Sequence, residues 1–373
     1  MMRICYLNHD LKEDTGAGRF GLSFIAGISA ACPAVRPVVL TVEDCGHPLE
    51  APVLHSDMLK MIFRIPRIRS FFKKCDIIHA LDGFPYGVIA AVASLGLGKR
   101  LVITAVGTGA IQPLQNPVKR LLLGWAYRRA DRVIAVSNYT KREISLRAKG
   151  LDISVISHAV DSREFDGSNH DELIEEERAV IQRMKPYMLS VGGGKKRKGY
   201  EYSFLAFAEV IKQFPRLNYV VVGHDIKNTP AESLGVADKT FCFFGIRRPF
   251  LRALYRNAEL FMLLPYDDRG DVEGFGLAFL EAAAAGLPIV GTYGNGAEDA
   301  VENGENSILV EPRNSGAAAA AAVKILLDPR LKEKFSKGSV DFAKRMSWDK
   351  VAKEYIEIYK AVLKSKIKHQ NAK

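Results

Sequence analysis

Apolar and polar positions along the chain follow two alternating rhythms. Short β-branched runs at Arg3–Leu7, Val38–Val42, Asp76–Ala80, Leu101–Ala105, Arg132–Val136 and Ser154–Ile156 read as buried strands. A second set follows at Tyr187–Val191, Tyr219–Val222, Thr240–Phe244, Leu260–Leu264, Ile289–Gly291 and Ser307–Val310. Stretches of helical period lie between them, such as Phe20–Ala31, Pro85–Leu95 and Val118–Arg129. This alternation predicts parallel sheets covered on both faces. Two such sets in series predict an α/β protein with two doubly wound domains. The tract Ala317–Ala322 reads as helix, because alanine is the best helix former. Trp348–Lys364 carries Val351, Tyr355, Ile356, Ile358, Tyr359 and Val362 at amphipathic-helix spacing. Ser162–Pro186 shows no strand pattern and suggests a linker. Its acids Asp171, Glu172, Glu175, Glu176 and Glu177 read as a solvated helix face.

The length of 373 residues fits two domains at roughly 150 residues each. No apolar run reaches the roughly 18–20 residues that span a bilayer. The N-terminus enters a strand pattern at once and turns polar at Asn8, His9 and Asp10, so no signal peptide is expected. Cys5, Cys32, Cys45, Cys75 and Cys242 are scattered without C-x-x-C spacing, which points to a reducing cytoplasm with neither a disulfide framework nor a zinc site. The net charge of +11 suits partners that carry phosphates, whether nucleotides, anionic lipids or nucleic acid, and a solvated basic surface fits it equally. Lys60–Lys74 concentrates that charge, with Lys60, Arg64, Arg67, Arg69, Lys73 and Lys74 set among Ile and Phe and no acid. Pro66 interrupts any single helix there. The mixture suits an anionic membrane surface, peripheral and on the cytoplasmic side, and also suits a helix with one buried and one basic face. No aromatic-basic motif for nucleic acid is present.

The chemistry concentrates in Gly270–Val290. A strand leaves through Pro265-Tyr266-Asp267-Asp268, and the loop Asp271-Val272-Glu273-Gly274-Phe275-Gly276 opens a helix that ends near Gly286. A glycine-containing loop opening a helix offers unpaired N–H groups and a positive dipole end, an anion site suited to a diphosphate. Glu281 stands one to two turns inside that helix, where its carboxylate can accept hydrogen bonds from ribose hydroxyls. Glu273 can do the same for a sugar.

Glu273-Gly-Phe-Gly-Leu with Glu281-Ala-x-Ala-x-Gly-x-Pro288 resembles the E-x7-E signature of the retaining family-four glycosyltransferases, the group 1 transferases of the GT-B fold. The likeness extends over nearly the whole chain. Lys198-Gly199 matches the family's lysine before glycine, and an ammonium there is a point charge for a diphosphate. The family arginine is replaced by Gly193, with Lys195, Lys196 and Arg197 as candidate substitutes. Phe244-Gly245-Ile246-Arg247 resembles the segment at the nucleobase, and Gly294–Glu298 with Asn303–Ser307 a later family stretch. Ala130–Thr140 and Val155–Asp161 match segments of the first half. Thr15-Gly16-Ala17-Gly18-Arg19 corresponds to the loop over the donor, where Arg19 would meet a phosphate. The family's T-x-H-G-T histidine is replaced by Val106. His79 occupies a position where the family often has histidine; it is carried as an acceptor-side candidate beside its reading as a core residue.

The resemblance implies a GT-B architecture. Residues 1–165 would form a Rossmann-like acceptor domain and 166–185 a linker. Residues 186–345 would form a Rossmann-like nucleotide-sugar domain facing it across a cleft, and 346–373 a helix returning to the first domain. It implies transfer of a hexose from a UDP- or GDP-linked sugar to a glycan or lipid-linked acceptor with retention of configuration. Glu273 and Lys198 would be catalytic. Gly18, Arg19, Gly193, Gly245, Ile246, Phe275, Gly276, Leu277 and Glu281 would bind the donor. No D-x-D string stands near a strand end, so no metal or other cofactor is expected. Alternatives are a nucleotide-sugar-binding protein with little transfer, supported by Gly193 and Val106, and a nucleotide-sugar epimerase.

Overall fold

The computed structural model describes residues 1–13, 15–166, 173–226 and 229–371, with side chains as far as Lys364. It divides into one unit of Met1–His158 with Trp348–Lys373 and a second of Ala159–Ser347. The first division thus falls ahead of the boundary at 165 expected from the sequence. The physical reason lies in what 159–165 touches: Phe165 packs edge-on against Tyr255 at 5.7 Å and Glu164 bonds Arg248, both in the second unit. Half of the expected linker 166–185 is a helix, Glu175–Met184 (α8). Positions 167–172, with Asp171 and Glu172 of the acid run, lie outside the described residues.

The first unit holds a seven-stranded parallel sheet of β1 (Met2–Leu7), β2 (Val35–Thr41), β3 (Glu50–Pro52), β4 (Ile77–Ala80), β5 (Arg100–Ala105), β6 (Arg132–Ala135) and β7 (Ile153–Val155), in the order β3-β2-β1-β4-β5-β6-β7. Each strand read from the sequence is present. β3 is additional: Glu-Ala-Pro has no β-branched run, and Pro52 is tolerated because the strand lies at the sheet edge. The helices are α1 (Gly16–Ala31), α2 (Met58–Phe63), α3 (Ile65–Lys73), α4 (Val88–Ala93), α5 (Gly107–Ile111), α6 (Pro117–Arg129) and α7 (Asn138–Arg147). Thr15 caps α1 by accepting from the Gly18 N–H at 2.9 Å. The closing helix, Trp348–Asn371, belongs to this unit and packs on α1, with Phe24 edge-on to Tyr355 at 4.8 Å.

The second unit has a six-stranded parallel sheet of β8 (Tyr187–Val191), β9 (Asn218–Val222), β10 (Thr240–Phe243), β11 (Leu260–Met262), β12 (Ile289–Thr292) and β13 (Ser307–Val310), ordered β10-β9-β8-β11-β12-β13. Its helices are α8 (Glu175–Met184), α9 (Tyr200–Val210), α10 (Arg248–Asn257), α11 (Leu277–Ala284), α12 (Ser315–Leu327) and α13 (Pro329–Arg345), so the closing helix is α14. The alanine tract is helical as expected. Its small buried faces, Ala318, Ala319, Ala321 and Ala322, let α12 approach α9 closely. Both sheets reverse their strand order beside their first strand, between β1 and β4 and between β8 and β11. In doubly wound sheets ligands bind outside the carboxyl ends of the strands at that switch point.

Candidate functional site

At the switch point of the second unit, the loop after β8 meets the loop after β11. Gly199 makes this meeting possible. It sits at φ +68°, and a Cβ there would lie 1.9 Å from the Leu264 carbonyl oxygen. The Tyr266 N–H donates to the Arg197 carbonyl at 2.9 Å and holds the two loops in register. Lys198 and Arg197 therefore face Glu273. The Lys198 Nζ lies 2.5 Å and an Arg197 guanidinium nitrogen 3.1 Å from Glu273 Oε2, while Arg197 Nε donates to Asp271 at 2.8 Å. Glu273 is only 7% exposed. Burial pushes its carboxyl up, but Lys198 and Arg197 outweigh that and bring it down to about 2.

This has a consequence for stability. A carboxyl held near 2 when folded and at the ordinary 4.5 when unfolded stabilises the fold above pH 4.5, and the contribution is lost as pH falls toward 2. The expected result is an extra loss of about 2 kcal/mol between pH 5 and pH 3, at roughly 1.4 kcal/mol per unit. Thermal melts at the two pH values check it: Glu273→Gln should show a smaller drop than the parent chain, and equal drops would contradict the pairing.

Gly276 opens α11. Its φ is +88°, and a Cβ would press within 2.8 Å of the Phe279 ring, so glycine alone turns the chain into the helix here. The Phe279 N–H turns back to the Gly276 carbonyl at 2.9 Å, and Leu277 and Ala278 precede the first N–H groups that the helix's own carbonyls can serve. The helix N-terminus, Lys198 and Arg197 thus form a positive corner with Glu273 as its counter-charge. The Gly296 N–H holds the Glu273 carbonyl at 2.8 Å. Phe275 and Gly276 are buried and Leu277 half-buried.

Glu281, also on α11, is 6% exposed and already engaged. Arg248 donates to Oε1 at 2.8 Å and the Tyr255 hydroxyl to Oε2 at 2.9 Å. Neither partner is apparent from sequence alone, since both lie on α10, about 30 residues earlier. A carboxylate offers about four lone-pair sites, which is why one such group can serve several donors at once. Arg248 also binds Glu164 at 3.0 Å. Burial pushes the guanidinium pKa down, but Glu281 and Glu164 outweigh it and raise it. Because Arg248 follows directly on Gly245, Ile246 and Arg247, its grip on Glu281 brings that loop toward the Glu281 end of α11. Arg247 in turn pairs with Glu177 at 2.6 Å, so the acid run on α8 is partly an anchor for this loop and not only a solvated face.

Gly193 lies exposed in the loop after β8, and a Cβ there would have no neighbour nearer than 3.9 Å, the His224 carbonyl. The place of the absent arginine is therefore open. Of the three cations considered as substitutes, Lys195 and Lys196 are exposed and Arg197 turns inward to Glu273.

The first-unit candidates separate into two groups. Gly18 and Arg19 stand in the first turn of α1, beside the switch point of that sheet, with the Arg19 N–H bonded to the Thr15 carbonyl at 3.0 Å. Val106 is half-buried at the end of β5, where it precedes α5. His79 is a correction. It is completely buried, its Nδ1 shares a hydrogen bond with the Tyr359 hydroxyl at 2.7 Å and its Nε2 with Thr104 at 2.8 Å, and burial alone lowers its pKa to about 3. It is a neutral core residue that ties α14 to the sheet, and no ring nitrogen is left for an acceptor. A histidine the sequence reading passed over, His9, lies exposed at the switch point and shares a 2.6 Å hydrogen bond with Tyr86. Its signal is its place two residues past β1, at the carboxyl edge of the sheet.

The basic segment breaks at Arg64 into α2 and α3, with Pro66 in the first turn of α3, as the sequence predicts. Arg64 and Arg69 are spent internally, donating to the carbonyls of Leu54 and of Ala93 and Leu95. Lys60, Arg67, Lys73 and Lys74 remain exposed. Among the described residues no group of three or more His, Cys, Asp or Glu is placed to hold a metal, and no helix is long and apolar enough to cross a membrane.

Comparison with known proteins bears on this geometry. The model of the family described as "Glycosyl transferases group 1" matches residues 172–341, and that of "Glycosyltransferase Family 4" matches 25–164. A GDP-mannose-dependent alpha-(1-6)-phosphatidylinositol monomannoside mannosyltransferase of Mycolicibacterium smegmatis is 27% identical over 278 residues, covering 71% of this chain and 72% of that protein. An N-acetyl-alpha-D-glucosaminyl L-malate synthase of Bacillus anthracis is 24% identical over 296 residues, covering 78% and 75%. Among solved structures, HepE of Anabaena in complex with UDP-glucose superposes with a TM-score of 0.80 at 18% identity, covering 97% of this chain and all of that one. Sucrose-phosphate synthase of Thermosynechococcus elongatus gives 0.77 at 18%, covering 98% and 100%.

Proposed function

This chain belongs to the group 1 glycosyltransferases of the GT-B fold, and from that premise we propose that it transfers a hexose from a UDP- or GDP-linked sugar to a glycan or lipid-linked acceptor with retention of configuration and without a metal. The observation that carries this reading is the pairing of Lys198 with the buried Glu273 just ahead of α11, with Glu281 farther along that helix. Charge develops on the departing diphosphate, and preorganised cations and helix N–H groups aimed at it lower the barrier most. Lys198 supplies the point charge, and the N–H groups of the first turn of α11 supply oriented dipoles. Glu273 accepts hydroxyls of the transferred sugar and keeps Lys198 in place. Glu281 accepts the ribose hydroxyls, and Gly245 and Ile246 border the base. Gly18 and Arg19 keep the diphosphate role that the family resemblance gives them. An anionic membrane, met through Lys60, Arg67, Lys73 and Lys74, would present a lipid-linked acceptor. Two proteins similar to this chain support the donor class: the mannosyltransferase named above by its GDP-mannose, and HepE by its bound UDP-glucose.

The test is transfer itself. With a sugar acceptor, the expected result is release of nucleoside diphosphate that persists in excess chelator, and a product with the anomeric configuration of the donor by NMR. Release that stops on chelation contradicts metal independence, and an inverted product contradicts retention.

Glu281→Gln keeps the shape of the side chain and removes its charge. Nucleoside diphosphate binding should weaken by about 1–3 kcal/mol, the scale of hydrogen bonds to a charged group. Calorimetric titration measures it, and an unchanged affinity removes Glu281 from the site. Glutamine is preferred to alanine because its amide oxygen can still accept from Arg248 or the Tyr255 hydroxyl, whereas alanine removes the acceptor altogether.

A further inference from the structure

Helix α6 is apolar on two opposite faces. One face, with Leu123, Gly124, Ala126 and Tyr127, is buried in the first unit. On the other side Val118, Leu121, Leu122 and Trp125 stand at the i, i+3, i+4, i+7 spacing of a core-facing stripe, yet they are 68, 74, 41 and 37% exposed. Soluble surfaces scatter single apolar residues, but a continuous stripe along a helix marks a binding face. The helix carries Lys119, Arg120, Arg128 and Arg129 and no acid. Arg129 is used internally, donating toward Ser94, whereas Lys119, Arg120 and Arg128 are exposed. An apolar stripe edged by cations and topped by a tryptophan complements an anionic bilayer interface, where the ring sits at headgroup level and the cations meet phosphate. A cavity of about 540 Å³ opens at the N-terminus of α6, lined among others by Phe84, Thr108, Gln112, Asn116 and Lys119. It lies just beyond Val106, at the carboxyl edge of the sheet.

We infer that α6 is a membrane-docking helix that seats its stripe in an anionic lipid surface, with the adjoining cavity opening beside the headgroups. The inference extends the membrane part of the proposed function from the charges of α2 and α3 to an apolar anchor, and it rests on that part alone. The donor site lies in the other unit and is read separately.

The experiment uses the full chain with vesicles of phosphatidylcholine containing a quarter phosphatidylglycerol. The chain has two tryptophans, so the response of Trp125 is isolated by comparing the parent with Trp125→Phe. The expected results are a blue shift of emission and quenching by brominated lipid that Trp125→Phe loses, and at least tenfold weaker vesicle partitioning for Leu121→Glu. The thermal shift given by nucleotide-sugar should be unchanged in Leu121→Glu, which shows that the variant is folded. Parent-like partitioning of Leu121→Glu overturns the inference, as does quenching that survives in Trp125→Phe. A parent chain that ignores vesicles but is dimeric by light scattering, and becomes monomeric as Leu121→Glu, also overturns it and assigns the stripe to a second copy. Loss of donor binding in the parent would count against the transferase reading and not against docking.

Discussion

Replacing Lys198 with alanine should lower the transfer rate by about 10²- to 10³-fold, the scale of removing one preorganised donor from a developing oxyanion. Lys198 is held between the loop after β8, closed by Gly199 on the Leu264 carbonyl, and the Glu273 carboxylate at 2.5 Å. A cation fixed before the substrate arrives costs no reorganisation as charge grows on the leaving group. Ground-state affinity for the nucleoside diphosphate should fall less, by about tenfold, because the helix N-terminus remains. Lys198→Arg is not a rescue, since a planar fork does not replace a compact ammonium. Steady-state kinetics with a fixed acceptor separate kcat from KM. A variant that loses affinity while keeping kcat would move Lys198 out of the reacting centre.

Glu273→Gln should behave differently. Transfer should fall by about 10²-fold, because a charged acceptor for the sugar's hydroxyls is gone, at roughly 1.5–3 kcal/mol for such bonds. Affinity for the sugar-free nucleoside diphosphate should hold or tighten. Glu273 pairs with both Lys198 and Arg197, and Arg197 keeps Asp271 when that carboxylate is removed, so it is chiefly Lys198 that then turns its full charge to phosphate. Calorimetry with the diphosphate and kinetics with the sugar donor therefore diverge for this variant. Parallel losses in both would make Glu273 a purely structural counter-ion.

The strand pattern carried most of the fold, because parallel strands buried on both faces are continuous apolar runs that periodicity detects. β3 escaped, being three residues long without a β-branched side chain. The boundary at His158 escaped as well, since Phe165 and Glu164 declare their allegiance only through contacts with Tyr255 and Arg248 far along the chain. In the site, Glu273, Gly276 and Glu281 were legible because one loop and one helix hold them at fixed spacing. Arg248 and Tyr255 were not, because their meeting with Glu281 depends on how α10 packs beside α11. His79 shows the opposite failure. Its place where the resembled family often has histidine suggested chemistry, and only the return of α14, with Tyr359, reveals a core hydrogen bond. The exposed stripe of α6 was hidden for a related reason: a periodicity that signals burial is the same whether the face meets the core or a lipid surface.

The central claim is that the second unit holds a nucleotide-sugar at Lys198, Glu273 and Glu281. Thermal denaturation across a panel of UDP-, GDP- and ADP-sugars tests it most directly, because a ligand that binds only the folded state raises the melting temperature by mass action. The account predicts a saturable rise with a UDP- or GDP-sugar that shrinks in Glu281→Gln and in Lys198→Ala. No rise with any of them, or a rise indifferent to both substitutions, would contradict it.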